Sequence, residues 1–254
     1  MGFPELATMT TVEATTAVAA APLVVLPVGA QEQHGPGMAM CTDTVRAEGV
    51  ASRVVEGLAG RAVLAPALPY GVSPHHVAFA GTMSLTAATF QTMINELIDS
   101  LYDAGWRKIL IITGHGGNAP ALSVVAQDQL QLHPELWLAW SPITALAKPE
   151  IAQLDVTSVH GHSGQAETAQ MQFLAPELVR DAELQPGTTE VSQLTGRARL
   201  SRSTLGPKLA VGFDSYHQGV LGDPRQVTAE DGKLIIDAVV DKITRFAQEM
   251  IMGD

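Results

Sequence analysis

Two uninterrupted apolar runs, each ending in a glycine-punctuated polar loop, constrain this chain more than any other feature. Pro22-Leu-Val-Val-Leu-Pro-Val28 runs into Gly29-Ala-Gln-Glu-Gln-His-Gly35, and Ile109-Leu-Ile-Ile-Thr113 runs into Gly114-His-Gly-Gly-Asn118. A short β-branched run without polar alternation reads as a strand covered on both faces, as in parallel sheets. Residues 62–68 and 136–140 are weaker strand candidates. Helical spacing is clear in Phe90, Met93, Ile94, Leu97, Ile98 and Leu101, with Thr86 placed to cap the start and Gly105 to end it. Another helix is expected after Thr228-Ala-Glu-Asp231, a capping-box-like start, with Leu234, Ile235, Ala238, Val239, Ile243 and Phe246 as its stripe. Residues 44–58, 120–132 and 165–173 complete the expected helices, and His133 before Pro134 marks a helix end. Strands alternating with helices predict an α/β layered domain around a mostly parallel sheet. Ligands bind such sheets at the carboxyl ends of the strands, where both polar loops fall.

The chain has 254 residues and is 46% hydrophobic, enough for the core of a single domain over 1–254. Its net charge of −11, with the Lys and Arg residues scattered, leaves no positive footprint for nucleic acid. The one basic cluster, Arg197, Arg199 and Arg202, reads as a solvated loop, with an anion clamp or a subunit contact as alternatives. The apolar stretch 17–28 is interrupted by Pro22 and Pro27 and is too short to span a bilayer, so no membrane partner is expected. Glu5 and Glu13 precede any Lys or Arg, which argues against a secretory signal. Cys41 has no intrachain disulfide partner, which fits a reducing cytoplasm. Residues 184–207 are polar and rich in Thr, Gly and Arg, and read as a long loop, an active-site cover or an oligomer contact.

Three clusters carry chemistry. Glu32 and His34 are two apart, so an extended segment points both to one side, and Asp43 follows just before an expected helix. Carboxylates with imidazole suit Mn²⁺, Zn²⁺ or Fe²⁺. By itself this cluster also describes a polar turn with Asp43 as a helix N-cap. The second cluster is the loop from Gly114 to Asn118, where glycines beside His115 allow a sharp turn and expose the imidazole to a cleft. The backbone N–H groups of Gly116 and Gly117 are placed to hold a developing oxyanion. The third is His160-Gly-His162-Ser-Gly-Gln-Ala-Glu167. Glu167 falls at a helix start, where it either binds metal or favours the helix dipole. His162, in the loop before it, is placed to pass a proton to a leaving amine. Together the clusters point to a site for one or two divalent ions, which would lower the pKa of a bound water to about 7. His75 and His76 form a further loop pair, open to ligation, substrate contact or a plain surface role.

At this point the sequence resembles the creatininase family, the creatinine amidohydrolases. The resemblance rests on Leu26-Pro-Val-Gly-Ala-Gln-Glu-Gln-His-Gly-Pro36 with Thr42-Asp43, on Tyr70-Gly-Val-Ser73 with His76, Phe79 and Gly81-Thr82, and on Ile112-Thr-Gly-His-Gly-Gly-Asn118. It continues through His162-Ser-Gly with Glu167-Thr168 and Gly219-Val-Leu-Gly-Asp-Pro224, so the ordered motifs cover about residues 24–232. It implies a three-layer α/β/α sandwich and a homohexamer. It also implies a metal pair bridged by Asp43, with Glu32, His115 and Glu167 completing one ion and His34 binding the other. His162 takes the place of the family's proton carrier. Ser73 takes that of a substrate contact, and His76, Gly116, Gly117 and Asn118 are expected to join it around the substrate.

The chain departs from the family pattern in several places. Gly37 stands where a second histidine is common, Ala80 where proline is, and His75 where glutamate often is. Creatinine hydrolases carry a glutamate ligand at the position of Gly117 and an aromatic residue near Thr157-Ser-Val159. Both differences argue against creatinine. The expectation is a metal-dependent amidohydrolase that cleaves a C–N bond of a small cyclic amide, a formamide or a peptide with a metal-activated water, His162 and Glu167 being catalytic. The alternative is a non-catalytic metal- or ligand-binding homologue with an incomplete site. A sugar isomerase or lyase using the same ligands is a third reading.

Overall fold

The buried runs form the middle of a four-stranded parallel sheet. The computed structural model describes residues 3–154, 156–202 and 207–253. Its strands are β1 (Leu23–Val28), β2 (Ala62–Leu64), β3 (Lys108–Thr113) and β4 (Trp137–Pro142), in the order β2-β1-β3-β4. β1 pairs with β3 along its whole length, from Leu23 opposite Lys108 to Val28 opposite Thr113, so the two polar loops leave the sheet side by side. β2 is shorter than expected because, beyond the bond from Ala65 N–H to the Val25 carbonyl, Pro27 of β1 has no N–H to continue the ladder, and the chain next pairs through Leu68 with the Pro27 carbonyl. β4 runs two residues further than expected, with Pro142 tolerated on an edge strand.

The longer helices are α1 (Thr11–Ala20), α2 (Thr42–Gly57), α3 (Ala87–Ala104), α4 (Ala119–Leu132), α7 (Gln165–Leu174) and α9 (Ala229–Met252). Short turns α5 (Ile143–Leu146) and α6 (Lys148–Ile151) follow β4, and α8 (Gly196–Ser201) lies before α9. Thr86 caps α3 and Gly105 ends it in the left-handed region, while Thr228 and Asp231 form a capping box on α9. Side chains alternate across the sheet. Leu23, Val25, Leu110 and Ile112 pack against α2 and α9, and Val24, Leu26, Ile109 and Ile111 pack against α3 and α4. This is the α/β/α sandwich expected. α1 is an addition to that expectation. Its Thr10–Glu13 capping box is legible, but it buries no residue fully, so no apolar stripe announces it.

Two expectations change. α2 begins at Thr42 instead of residue 44, so Asp43 lies inside the first turn and is not the cap. The stretch 184–207 is only partly loop. Residues 203–206 lie outside the described residues, and Leu194, ahead of α8, and Ala198 within it pack against Val159, Tyr216 and Leu221. Arg197, Arg199 and Arg202 are exposed, as a solvated reading requires, though two of them sit on α8.

Candidate metal centre

The ends of β1 and β3 and the starts of α2 and α7 meet at one point. Glu32 and His34 hang from the loop after β1, His115 from the loop after β3, Asp43 from the first turn of α2 and Glu167 from the first turn of α7. The approach is close: a Cβ on Gly114 would lie 2.0 Å from the Asp43 carbonyl oxygen, so only glycine lets β3 end against α2.

His115 Nδ1 lies 3.2 Å from Glu32 Oε1 and 3.1 Å from Asp43 Oδ2. His34 Nε2 lies 3.5 Å from Asp43 Oδ1 and 3.7 Å from Glu167 Oε2. Donors on one ion at about 2.0–2.2 Å stand about 3.0–3.5 Å apart, so these separations match or nearly match those of shared ligands. Asp43 turns one oxygen to each histidine, as a bridging carboxylate would. Glu167 stands on the His34 side, whereas the resemblance grouped it with Glu32 and His115.

The histidines are oriented from behind. His115 Nε2 donates to the Val72 carbonyl at 3.1 Å and His34 Nδ1 donates to the Glu32 carbonyl at 3.2 Å, which leaves the opposite nitrogen of each ring facing the carboxylates. Both Glu32 oxygens, Asp43 Oδ2 and His34 Nε2 are buried without a hydrogen-bond partner. Native proteins rarely leave such atoms unpaired, and a cation among them satisfies all four. The donor set therefore fits a divalent ion.

The electrostatics describe the same cation-shaped gap. Burial opposes a charge on His34, yet Asp43, Glu167 and Glu32 outweigh it and push its pKa up to about 9. His115 is likewise raised against burial by Glu32 and Asp43. Burial and the Asp43 charge raise Glu32, while Asp43 is held well below its usual value, its two histidines overcoming desolvation. The other histidines behave oppositely. Burial, then His34, lowers His162 to about 3, and burial, then His115, lowers His75 to about 4. His76 is lowered too, by burial and by His162.

His162 donates from Nε2 to the Gln33 carbonyl at 2.8 Å, and its Nδ1 faces Glu32 Oε1 at 3.6 Å and Glu167 Oε2 at 3.9 Å. Gln33 ties this cluster together, its amide nitrogen donating to His76 Nδ1 at 2.9 Å and to the Gly219 carbonyl at 3.2 Å. His76 Nε2 then lies 3.3 Å from Glu32 Oε1. Phe213 packs on His75, His76 and His162.

The expected substrate contacts divide. His76, Gly116 and Gly117 line a cleft of about 330 Å³ over the carboxylates, together with His75, His162 and Phe213. Ser73 and Asn118 are fully buried instead. Ser73 Oγ lies 3.3 Å from His115 Nε2, and Asn118 spends its amide on Val72 N, Gly29 O and Thr113 Oγ1, locking the strand ends together. A Cβ on Gly117 would lie 2.3 Å from His115 Nε2 and 2.9 Å from His75, whose ring stacks on His115. This loop therefore has no room for a carboxylate at position 117. Leu184 fills the space beside Gly37 in the same way.

Sequence reasoning passed over Arg46, Gln33 and Phe213. Arg46 is fully buried beneath the site and contacts both Asp43 and Glu167. Its signal was present: a lone arginine on the face of α2 that also carries Asp43, Val50 and Val54 cannot be solvated. Phe213 lies far from the motifs in sequence and left no such signal.

The comparisons with known proteins agree in direction. The creatininase family, described as creatinine amidohydrolase, matches residues 7–247. A mycofactocin precursor peptide peptidase of Mycolicibacterium smegmatis is 32% identical over 235 residues, covering 89% of this chain and 85% of that protein. Among solved structures, a Mn creatininase superposes with a TM-score of 0.78 at 25% identity, over 98% of this chain and 99% of that one. A Zn-Zn type creatininase mutant does so with a TM-score of 0.81 at 25% identity, over 98% of both chains.

Proposed function

This chain belongs to the creatininase family and is a metal-dependent hydrolase of amide C–N bonds; from that premise we propose that its substrate is a peptide. We assign the ion-holding role to Glu32, His34, Asp43, His115 and Glu167, with Zn²⁺, Mn²⁺ or Fe²⁺ as candidate ions. The observation that carries the assignment is the set of four unpartnered buried donor atoms on Glu32, His34 and Asp43. Similarity to a peptide peptidase along most of the chain supports the substrate class. So does the cleft, which continues past Gly116, Thr144 and Val156 into a groove of about 710 Å³, more than a small single-ring amide needs. The missing carboxylate at Gly117 weighs against creatinine. A cytoplasmic location and a homohexamer extend the reading; among the described residues no helix is long and apolar enough to cross a membrane.

A divalent ion bound here supplies a lowered pKa for water and polarises the scissile carbonyl. The protein's own groups supply the rest. Gly116 and Gly117 offer backbone N–H groups where charge develops on the carbonyl oxygen. His162, neutral at physiological pH and held by the Gln33 carbonyl, keeps Nδ1 turned toward the site to take up a proton and hand it to the departing nitrogen. Glu167, held ionised by Arg46, fixes the charge beside His34. Phe213, Ile151 and Val156 exclude water around the cleft.

The test is a screen of metal-loaded protein against short peptides, formamides and creatinine, with His162→Ala as control. Peptide cleavage is expected, with turnover in H162A lowered about 10²–10⁴-fold while bound metal persists. Creatinine turnover with intact peptides would overturn the substrate class. Loss of metal in H162A would make His162 a ligand, and failure of both Glu32→Ala and Asp43→Ala to strip metal would overturn the assigned centre.

A further inference from the structure

The groove that continues the cleft past Gly116 differs from the cleft in charge. Glu32, Asp43 and Glu167 line the cleft. No Asp or Glu is among the described residues that line the groove, and Lys148 is the one Lys or Arg among them. Cleft and groove share Gly116, Thr144, Ile151 and Val156, whereas Lys148 lies on the part they do not share. A substrate filling both spaces thus runs from the carboxylate-lined centre, past an apolar wall, to an ammonium group.

That wall is held in place from within. After β4 ends at Pro142 the chain turns through α5 and α6, and Ile143 and Ala147 are buried in the core with residues of α9. Arg46 Nη2 donates to Thr144 Oγ1 at 2.7 Å, and Lys242 Nζ donates to the Leu146 carbonyl at 2.8 Å and to Glu150 Oε1 at 3.2 Å. A wall fixed before binding costs the ligand little ordering. Directly after buried Ala147, Lys148 opens α6 and is exposed. Glu150 of the same turn is taken by Lys242, and Lys148 has no ion pair or hydrogen bond among the described residues. In a chain with 26 Asp and Glu against 15 Lys and Arg, acidic partners are in excess, yet this ammonium has none. A free cation at the end of a carboxylate-free apolar groove selects an anion by charge complementarity.

Building on the peptidase reading above, we propose that this groove is the subsite for the carboxyl terminus of the peptide, with Ile151, Ala152 and Val156 receiving an apolar last side chain and Lys148 receiving the α-carboxylate. An apolar carboxy-terminal residue presents both features from one α-carbon, whereas an internal Asp or Glu presents the charge without the apolar body. Hydrolysis breaks the amide C–N bond, with water supplying a hydroxyl to the acyl carbon and a proton to the nitrogen. The fragment in the groove is then the one that departs as an amine. Lys148 touches substrate away from the reacting atoms and sets which peptides are accepted.

The test uses metal-loaded protein and the best-cleaved peptide of the screen above, made with leucine as its last residue in two forms, free acid and carboxamide. Wild type should favour the free acid about fivefold in kcat/KM, through KM, the upper end for an ion pair in contact with water. Lys148→Met should bring the two forms to parity, Lys148→Arg should keep the preference and Lys148→Glu should reverse it. A third peptide, amidated and ending in aspartate, should be handled as an amide, and cleavage as efficient as that of the free acid would overturn the terminal assignment. Equal kcat/KM for acid and amide in wild type would overturn the proposal as well, by a comparison that needs no variant to fold. A merely structural lysine would lower kcat for both forms alike in K148M and leave their ratio in place, which is equally fatal. Turnover of formamides or creatinine with every peptide left intact would instead refute the peptide reading itself.

Discussion

At His34 a proton would compete with the proposed cation. With its pKa pushed up to about 9 by Asp43, Glu167 and Glu32 against the cost of burial, the metal-free ring is charged at neutral pH. An ion must displace that proton, so uptake at the His34 position should release a proton and tighten by up to about tenfold per pH unit as pH rises toward 9. Calorimetry of Zn²⁺ uptake in buffers of different ionisation enthalpy checks this, and a pH-independent affinity without proton release would exclude His34. The same raised pKa stabilises the metal-free fold. Because it lies above the unfolded value, its contribution is complete below about pH 6.5 and fades as pH climbs through about 9. At this scale the sequence was legible where a residue type has few reasons to sit where it does. His115 between glycines, and the Glu32–His34 pair, were such cases. Arg46 and Gln33 were harder, because their work is done by hydrogen bonds to residues more than a hundred positions away, Glu167 and Gln170 for one and Gly219 for the other. Ser73 and Asn118 show the converse, polar side chains in family motifs whose hydrogen bonds turn inward and hold the scaffold.

Among the elements, the contact between α7 and α9 decides where Glu167 sits. Gly232, in the first turns of α9, approaches α7 so closely that an added Cβ would stand 1.8 Å from the Ala169 carbonyl oxygen, two residues beyond Glu167. In an open helix Gly→Ala stabilises by about 0.8–1.0 kcal/mol. Here overpacking of about 1–3 kcal/mol opposes it, and with the contact made to backbone the clash should win. Gly232→Ala is therefore expected to lower Tm by a few degrees and to weaken metal retention as α7 is pushed aside. A more thermostable G232A protein with full metal content would show that the helices part without cost to the site. Strand and helix identities were readable because each has one dominant cause: unbroken apolar runs for β1 and β3, caps and stripes for α3 and α9. Boundaries were set by partners the local sequence does not display. β4 extends because Ser141 and Pro142 find Ile112 and Thr113, and α2 starts at Thr42, whose N–H and hydroxyl both bond to the Ala39 carbonyl. α8 was hidden because Ala198 is its one buried residue, packed onto a loop cluster and not onto the sheet, while Leu200 is exposed.

For the whole molecule, an ion in the proposed centre would fasten together otherwise separate chain segments. The five proposed ligands come from the loops after β1 and β3 and from the first turns of α2 and α7, so an ion there would join both inner strands to two helices of one outer layer. Without a cation, Asp43 and Glu167 share the Arg46 guanidinium while Glu32 has no such partner and is pushed toward its protonated form by burial and by Asp43. Binding to the folded state alone stabilises it by about 2.7 kcal/mol when free metal is at 100 times the dissociation constant. In a chain of 150–250 residues each kcal/mol moves Tm by roughly 2–4 °C. Saturating Mn²⁺ or Zn²⁺ should therefore raise Tm of the chelator-treated protein by about 5–10 °C, and a chelator should reverse it. Because the site draws on distant segments, the shift should appear in far-ultraviolet circular dichroism and tryptophan fluorescence together, Trp106 lying just before β3 and Trp137 and Trp140 in β4. A Tm indifferent to metal and chelator would mean that these donors, however well placed, do not close on an ion in the folded protein.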